Sequence, residues 1–386
     1  MRILYAAIDQ IVPGTKGGSV HVTAVAEGLA ALGHDVHALV TPGKARPASS
    51  AVDWIPMRPP LGSSHLRLTR SGAIADLAAR LRPDVIMERY HNFGGEAIVA
   101  AKTTGAIAVL EVNAPVVDHP GSRKAWLDRA LLVRPMRRWR ERLCSLADVI
   151  VTPNLATLPA GIPADHVAVL EWGADTDRFR PGLTVPAPFA RPPVTTLAAF
   201  AGAFRNWHGA IHLVRAIKVL NARGRTDVGA VLIGDGPELP RVREAAAGIS
   251  TVLVTGPLPH EVMPAALAEA DIGVAPFDLG VHAPLSLGFY WSPLKIFEYM
   301  AAGLPVIAPA VDRIPSLVAN GREGILYNPQ DQDALATALE QMTNPGLRAS
   351  LGAAARQRAV RDYSWNAHCR ALEAAILRAR GRRRTA

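Results

Sequence analysis

Short apolar runs alternate with helix-patterned stretches along almost the whole chain, and this alternation limits the possible folds more than any other feature. The clearest runs in the first half are Arg2–Ile8, Asp35–Val40, Asp84–Glu88, Ile107–Val112, Asp148–Thr152 and Val167–Leu170. Thr196–Phe200, Ala230–Ile233, Thr251–Val254, Ile272–Pro276 and Pro305–Ala308 follow. Apolar residues at consecutive positions suit parallel strands buried on both faces. Between Gly18 and Gly33, Val22, Val25, Leu29 and Leu32 fall at helical spacing, and Gly33-His34 closes the helix. Strands alternating with helices make βαβ units, so the expected class is α/β with doubly wound parallel sheets.

One stretch breaks the rhythm. Arg180–Pro193 holds five prolines in 14 residues, a linker composition. The expected organisation is therefore a first Rossmann-like domain over 1–180, a linker over 181–194, and a second Rossmann-like domain over 195–364. A C-terminal segment, 365–386, completes it. Its Trp365–Leu377 helix is expected to cross back to the first domain, ahead of a basic tail. Such sheets bind ligands at the carboxyl ends of their strands, and two facing domains would put the site in the cleft between them.

Composition narrows the function classes. Hydrophobic residues make up 49% and charged residues 19%, which excludes a disordered or coiled-coil chain. Two cysteines, Cys144 and Cys369, exclude a disulfide framework and a cysteine-based metal site, and are expected as reduced, half-buried thiols. A net charge of +9 suits an anionic partner. No apolar run reaches 18 residues, and Met1–Ile8 reads as a first buried strand rather than a signal peptide, so the expected location is the cytoplasm.

The strongest local signal is Tyr290–Ala308. Ser292 is placed as an N-cap, Pro293 as a first helical residue and Gly303 as the C′ residue. The helix start offers free N–H groups and a positive dipole end to an anion. Lys295 in the first turn reaches the same anion, and Glu298 lies on the same face, where a carboxylate could accept from a ribose diol. The plainer alternative is a Lys295–Glu298 surface pair. Three further strand ends carry loops of the same kind: Phe200–Gly209 with Arg205 and His208, Ile233–Glu238 with Gly234, and Val254–Leu258. Together they point to a nucleotide site in the second half.

This series resembles the donor domain of retaining, GT-B-fold glycosyltransferases of family 4. The resemblance rests on Gly202…His208-Gly209, Gly234-Asp-Gly-Pro, Gly256-Pro-Leu, Ala270–Pro276 and Ser292-Pro-Leu-Lys-Ile-Phe-Glu. In the first half, Pro13–Gly18 resembles the family's glycine loop, and Glu171–Pro181 resembles its interdomain segment. The resemblance covers nearly the whole chain in order. Three positions depart from it: Tyr290 stands where a first glutamate is common, His208-Gly209 replaces Lys-Gly, and Glu171-Trp172 replaces Pro-Asn.

The resemblance implies two facing domains and transfer of a sugar from a nucleoside diphosphate sugar to an acceptor hydroxyl, with retention of configuration. Arg205 and Lys295 would stabilise the leaving diphosphate. His208, Ser292 and Leu294 would join them at the donor, with His208 acting as a cation or as a neutral hydrogen-bond donor. Glu298 would hold the ribose, while Gly234 and Leu258 border the base. Gly17 and Gly18 would approach the phosphates or sugar from the first domain. No cofactor or metal is expected, since side-chain cations do this work. The one suggestive acidic pair, Asp175 and Asp177, lies in the interdomain segment. The departing phosphate can take the acceptor proton, so a protein base is not obligatory. Glu111, Asn113 and His119 are the candidates beside the donor sugar, with buried or plain loop roles as the alternative. His34, His65 and His368 are read as structural or surface residues.

The acceptor is expected on the first domain and could be a glycan, a lipid-linked molecule or a small molecule. Leu131–Leu143 mixes five arginines with Leu132, Met136, Trp139 and Leu143, and the tail Arg378–Arg384 adds five more arginines. Together they suit peripheral contact with an anionic membrane, or else a core helix with a solvated basic face and a frayed tail. No aromatic stacking platform accompanies these charges, so nucleic acid is not expected. Two other readings remain: a GT-B nucleotide-sugar epimerase, and a catalytically silent binding subunit, the latter suggested by Tyr290 and His208.

Overall fold

The computed structural model describes residues 1–45, 47, 49–63, 66–67, 71–119, 121–122, 125–126, 130 and 134–385, with backbone only at 134–135. His65, Pro120 and 131–133, which include Leu132, fall outside the described residues. The chain divides into two compact units. The first comprises 1–172, 290–292 and 365–386, and the second 173–289 and 293–364. The division falls at Trp172/Gly173, ahead of the proline-rich stretch, so 173–194 travel with the second unit.

The first unit contains strands β1 (Arg2–Val12), β2 (Asp35–Pro42), β3 (Val52–Pro56), β4 (Val85–Arg89), β5 (Ile107–Glu111), β6 (Val149–Thr152) and β7 (Val167–Val169). Among the described residues these form one parallel sheet in the order β3-β2-β1-β4-β5-β6-β7. Helices α1 (Gly17–Ala31), α2 (Ser71–Leu81), α3 (Glu96–Thr104) and α4 (Arg134–Leu146) are threaded between the strands. Alternate residues of β1 serve opposite faces: Ile3, Tyr5 and Ala7 in one cluster, Leu4, Ala6 and Ile8 in the other.

The second unit contains β8 (Thr196–Ala201), β9 (Val228–Ile233), β10 (Val252–Gly256), β11 (Ile272–Val274), β12 (Val306–Pro309) and β13 (Gly324–Tyr327). Their order is β10-β9-β8-β11-β12-β13, again parallel. Its helices are α5 (Ala210–Ala222), α6 (Leu239–Ala246), α7 (Met263–Ala268), α8 (Leu294–Ala301), α9 (Ile314–Leu317), α10 (Ala334–Gln341) and α11 (Pro345–Asp362). The chain ends in α12 (Trp365–Thr385), which belongs to the first unit. There Cys369, Leu372, Ala375, Ile376 and Ala379 join the same core as Val22, Val25 and Leu29 of α1.

Each sheet is thus doubly wound, and each reverses strand order once, at β1/β4 and at β8/β11. In such sheets the crevice outside the strand ends at the reversal is where ligands bind. Two strands, β3 and β13, lie outside the runs picked out in the sequence. Both are edge strands and only partly buried; Asp53 interrupts β3, while β13 is a short run, Gly324–Tyr327.

Two expectations need correction, and for α4 the core-helix alternative describes the packing. Cys144 and Cys369 are fully buried rather than half-buried, and burial pushes each thiol up to about 12. The basic tail is not frayed. It is the last turns of α12, where Arg383 pairs with Asp148 at 2.6 Å and Arg382 Nη2 donates to the Asp148 carbonyl at 2.8 Å. In α4, Leu143 and Cys144 are core residues, Trp139 packs against them and donates its Nε1–H to the Gly94 carbonyl at 2.9 Å, and Arg140 is buried beside Asp118. Its apolar face is therefore committed to the unit's interior, with Arg138 and Arg142 on the exposed side.

Candidate active site

In the second unit the strand ends are laced together by their own backbone. Gly202 N–H donates to the Ile233 carbonyl, Gly234 N–H to Gly256, and Phe204 N–H to Asp235, all at 2.8–2.9 Å. The loops touch so closely that a methyl group at Gly234 would lie 1.9 Å from the Gly202 carbonyl oxygen. Gly234 also has φ +138°, a backbone that disfavours any side chain. Gly234 therefore shapes the loop, and its place at the strand end agrees with the reading from sequence.

Onto this platform α8 brings Lys295. The side chain is 8% exposed, and its ammonium lies 4.0 Å from the centre of the Phe200 ring and 5.3 Å from that of Phe277. Phe200 is the penultimate residue of β8 and Phe277 follows β11, so the charge sits at the β8/β11 reversal. Among the described residues Lys295 Nζ has no hydrogen-bond partner. A methyl group at Gly202 would come within 3.1 Å of it. Burial, offset in part by Glu298, lowers Lys295 to about 7. A buried cation held by aromatic faces alone is poorly compensated, which is the signature of a place kept for an anion.

His208 stands beside it, in the turn between β8 and α5. Burial, and then the charge of Lys295, push it down to about 2, so the ring is neutral. Nδ1 lies 2.5 Å from the Ala203 carbonyl oxygen. A carbonyl only accepts, so Nδ1 carries the proton and Nε2 is a bare acceptor in the neutral ring. In the free protein Nε2 is thus neither a cation nor a donor towards a ligand, and it can donate only if an arriving anion raises the ring's pKa enough for it to take up a proton from water. Arg205, three residues earlier, is exposed at the rim of the same turn.

Glu298 lies on the half-buried side of α8, with Oε1 3.7 Å from His260 Nε2. His260 stands two residues after Leu258, in the loop following β10, and its ring meets Phe179 edge-on. Leu258 is half-buried. The partners of Lys295 and Glu298, namely Phe200, Phe277 and His260, were not singled out from the sequence. His260 was detectable there, because it follows Leu258-Pro259 in a loop already marked.

Ser292 corrects another expectation. The residue before α8 is Pro293, and no side chain caps the helix. Ser292 Oγ instead donates to Glu171 Oε2 at 2.7 Å and accepts from Trp172 N–H at 3.0 Å. The first-turn N–H groups of Leu294 and Lys295 therefore have no carbonyl within the helix. Gly303 closes α8 at φ +79°, as expected of a C′ glycine. Tyr290 is buried against Trp291, with ring centres 4.3 Å apart.

The first unit fills its own reversal with paired charges. Glu111, at the end of β5, is 3% exposed. It accepts from Tyr5 Oη at 2.5 Å, from Arg89 Nη1 at 3.4 Å and from the Asn113 amide, and His21 Nε2 lies 3.0 Å away. Burial lowers His21 and raises Tyr5, so both are neutral beside the carboxylate. Asn113 Oδ1 accepts from Trp172 Nε1 at 2.8 Å, and the Trp172 ring lies 4.4 Å from that of His21. Glu111 is thus held by four neighbours, contacts that suit the alternative of a buried hydrogen-bonding residue at this strand end. The Glu171-Trp172 pair, a departure in the sequence, is explained by these contacts.

Beside this cluster Arg67 donates to Glu96 at 2.8 Å and to Glu88 at 3.1 Å, and lies 3.6 Å from Asp9. Glu88 also accepts from the N–H groups of Gly95, Ala97 and Ile98, capping α3 from a neighbouring strand. His119 is half-buried in the loop after β5, and its carbonyl accepts from Ser122. Gly17 opens α1, and Gly18 lies against the Gln10 side chain. Asp175 turns its carboxylate to the backbone N–H groups of Asp177 and Arg178. His34 pairs with Glu373 and His368 bonds the Glu171 carbonyl, both within the first unit.

Comparison with known proteins agrees with this architecture. The family model "Glycosyl transferases group 1" matches residues 195–344, and "Glycosyltransferase Family 4" matches 15–178. The chain is similar to alpha-maltose-1-phosphate synthase of Mycolicibacterium smegmatis, at 28% identity over 59% of this chain and 62% of that protein. It is also similar to the GDP-mannose-dependent alpha-(1-6)-phosphatidylinositol monomannoside mannosyltransferase of the same organism, at 28% identity over 72% of this chain and 77% of that one. Among solved structures, Anabaena HepE in complex with UDP superposes with a TM-score of 0.68 at 17% identity, over 98% of this chain and all of that one. Two Rossmann-like units in this order, each matched by its own family model, make the chain a member of the GT-B-fold glycosyltransferases of group 1 and family 4.

Proposed function

We propose that the protein transfers a sugar from a nucleoside diphosphate sugar to a hydroxyl of a glycan, a lipid-linked molecule or a small molecule, with retention of anomeric configuration. The observation that carries this reading is the buried, unpartnered ammonium of Lys295 at the β8/β11 reversal. A departing diphosphate gains negative charge in the transition state, and a preorganised cation in a water-poor site stabilises it there. Arg205 at the rim and the N–H groups of Leu294 and Lys295 add to that charge. Glu298 accepts from the ribose hydroxyls, while Gly234 and Leu258 border the base. UDP in the Anabaena neighbour and the GDP-mannose dependence of the mycobacterial relative support a nucleotide-sugar donor.

Side-chain cations do the work that a metal does elsewhere, so the reading takes the transfer to be metal-independent. The leaving phosphate accepts the acceptor's proton, which agrees with a Glu111 already held by its neighbours. The acceptor binds the first unit. The exposed Arg138 and Arg142 on α4 offer peripheral contact to an anionic, cytoplasmic membrane face. A panel of UDP-, GDP-, TDP- and ADP-sugars, with and without excess chelator, tests the reading. One nucleotide should raise the melting temperature and be turned over with retention under chelation. No thermal shift from any of them would favour a silent subunit, and loss of turnover reversed by added metal would end the metal-free mechanism.

A further inference from the structure

A cavity of about 660 Å³ opens in the second unit, lined by α5, the loop after β11, the end of β13 and the loop leading into α10. It shares only Phe277 with the surroundings of Lys295. Its polar lining is a mixture of donors and acceptors: His212, Arg215, Asp278, Tyr327, Gln330 and Gln332. Val219 and Leu335 add apolar surface, the half-buried ring of Tyr327 adds a flat face, and the nearly buried Phe277 backs the wall. Asp278 and His212 face each other at 3.4 Å, and each keeps about a third of its side-chain surface open. Burial lowers His212, so the ring adds a neutral donor–acceptor rather than a charge. Two further carboxylates on the wall are already engaged: Asp331 accepts from Asp333 N–H, and Asp333 pairs with Arg223 at 2.6 Å.

We propose that this cavity is a second carbohydrate site, taking a neutral saccharide of one or two rings, apart from the anion site at Lys295. A sugar hydroxyl both donates and accepts, so it uses an arginine, a carboxylate and amides in one place. The C–H faces of a pyranose lie against a flat ring, here that of the half-buried Tyr327. An anion would meet the Asp278 carboxylate and a cation would meet Arg215, whereas a neutral polyol uses both. The volume lies in the range of small-molecule sites.

The cavity is also joined to the candidate donor site. Phe277 forms one wall of it and lies 5.3 Å from Lys295 Nζ, while Asp278 N–H donates to the Trp207 carbonyl beside His208. A saccharide resting on the 277–278 wall therefore presses on the loop that faces the donor, and its binding is linked to nucleotide affinity.

The test is calorimetric or saturation-transfer titration of the full chain with maltose, lactose, cellobiose and mannobiose, alone and under saturating UDP or GDP. At least one disaccharide should bind with the nucleotide present. The double variant Arg215→Ala/Gln332→Ala, two exposed positions chosen to keep the fold, should weaken it about tenfold and leave nucleotide binding in place. Displacement of the saccharide by nucleotide, loss of its binding in Lys295→Ala, an unchanged affinity in the double variant, or no binding by any disaccharide would each overturn the proposal. Failure of the nucleotide alone to bind would count against the donor reading and leave the saccharide result to be judged by the double variant.

Discussion

The two strand-order reversals of this molecule have the same topology and opposite chemistry. At β1/β4 the strand ends carry Asp9, Glu88 and Arg89, and Arg67, Glu96 of α3 and Glu111 of β5 come to them, so that each charge lies beside an opposite one. At β8/β11 the strand ends carry glycine and phenylalanine, and the buried cation there, Lys295, meets aromatic rings. The first arrangement pairs its charges within the chain, although Arg67 Nη1, Asp9 Oδ1 and Glu96 Oε2 are buried with no hydrogen-bond partner among the described residues. The second leaves a desolvated charge whose compensation has to come from outside the chain. A topological switch point is therefore a place where a site can be built, and the side chains decide whether it is built for a ligand or closed for stability.

The largest expected effect comes from opening the closed reversal. Arg67→Met should leave Glu88 and Glu96 facing each other without their cation and cost about 3–5 kcal/mol in denaturant unfolding. A loss below about 1 kcal/mol would mean that the paired cluster is dispensable. The open reversal should answer the other way. Lys295→Met should lower donor turnover by about 10²–10³-fold, as removal of a fixed transition-state partner does. Its melting temperature should hold or rise, because an uncompensated buried charge is gone. A Lys295→Met protein that unfolds earlier yet turns over normally would reverse the comparison.

A smaller effect is expected at Glu298. Glu298→Gln should raise KM for the donor about tenfold with kcat little changed, since a ribose contact is made equally in ground and transition states. A fall in kcat alone would place Glu298 nearer the reacting atoms. The gentlest test is pH. Lys295 has its pKa lowered to about 7, so above that the free protein loses the charge, while a bound diphosphate restores it. Donor affinity should therefore weaken as pH rises past about 7, with proton uptake on binding. Lys295→Arg should flatten the profile, because a guanidinium stays charged. A wild-type profile that is already flat from pH 7 to 9 would mean that the ammonium is not the ligand's partner.

The fold was largely legible because a parallel strand buried on both faces has to be apolar at each position, as in Thr196–Phe200. Edge strand β3 escaped because one side faces solvent and Asp53 breaks its apolar run, whereas the short apolar run of β13 was passed over without a local reason. In the candidate site, Lys295, Glu298, His208 and Gly234 were visible because each follows a strand end or opens a helix. Ser292 was misread because a serine before a proline has the local chemistry of a cap, while its actual partners, Glu171 and Trp172, lie about 120 residues away. For Glu111 the sequence left two roles open, because a polar residue at a strand end looks the same whether it faces a substrate or four neighbours.

What the sequence by itself determined is the local chemistry: strands and helices from apolar spacing, the end of α8 from Gly303, and the order of loops that carry cations and glycines. These depend on residues within a turn or two of one another, and their physics is complete at that range. Only the tertiary structure decided which charges are paired. Arg67 and Lys295 are both buried cations, and nothing in their neighbours along the chain separates them. Arg67 meets Glu88 and Glu96 from β4 and α3, while Lys295 meets Phe200 and Phe277 from β8 and the loop after β11. Whether a buried charge is satisfied depends on groups that arrive from distant parts of the chain, so the line between a structural ion pair and a waiting site is drawn by packing.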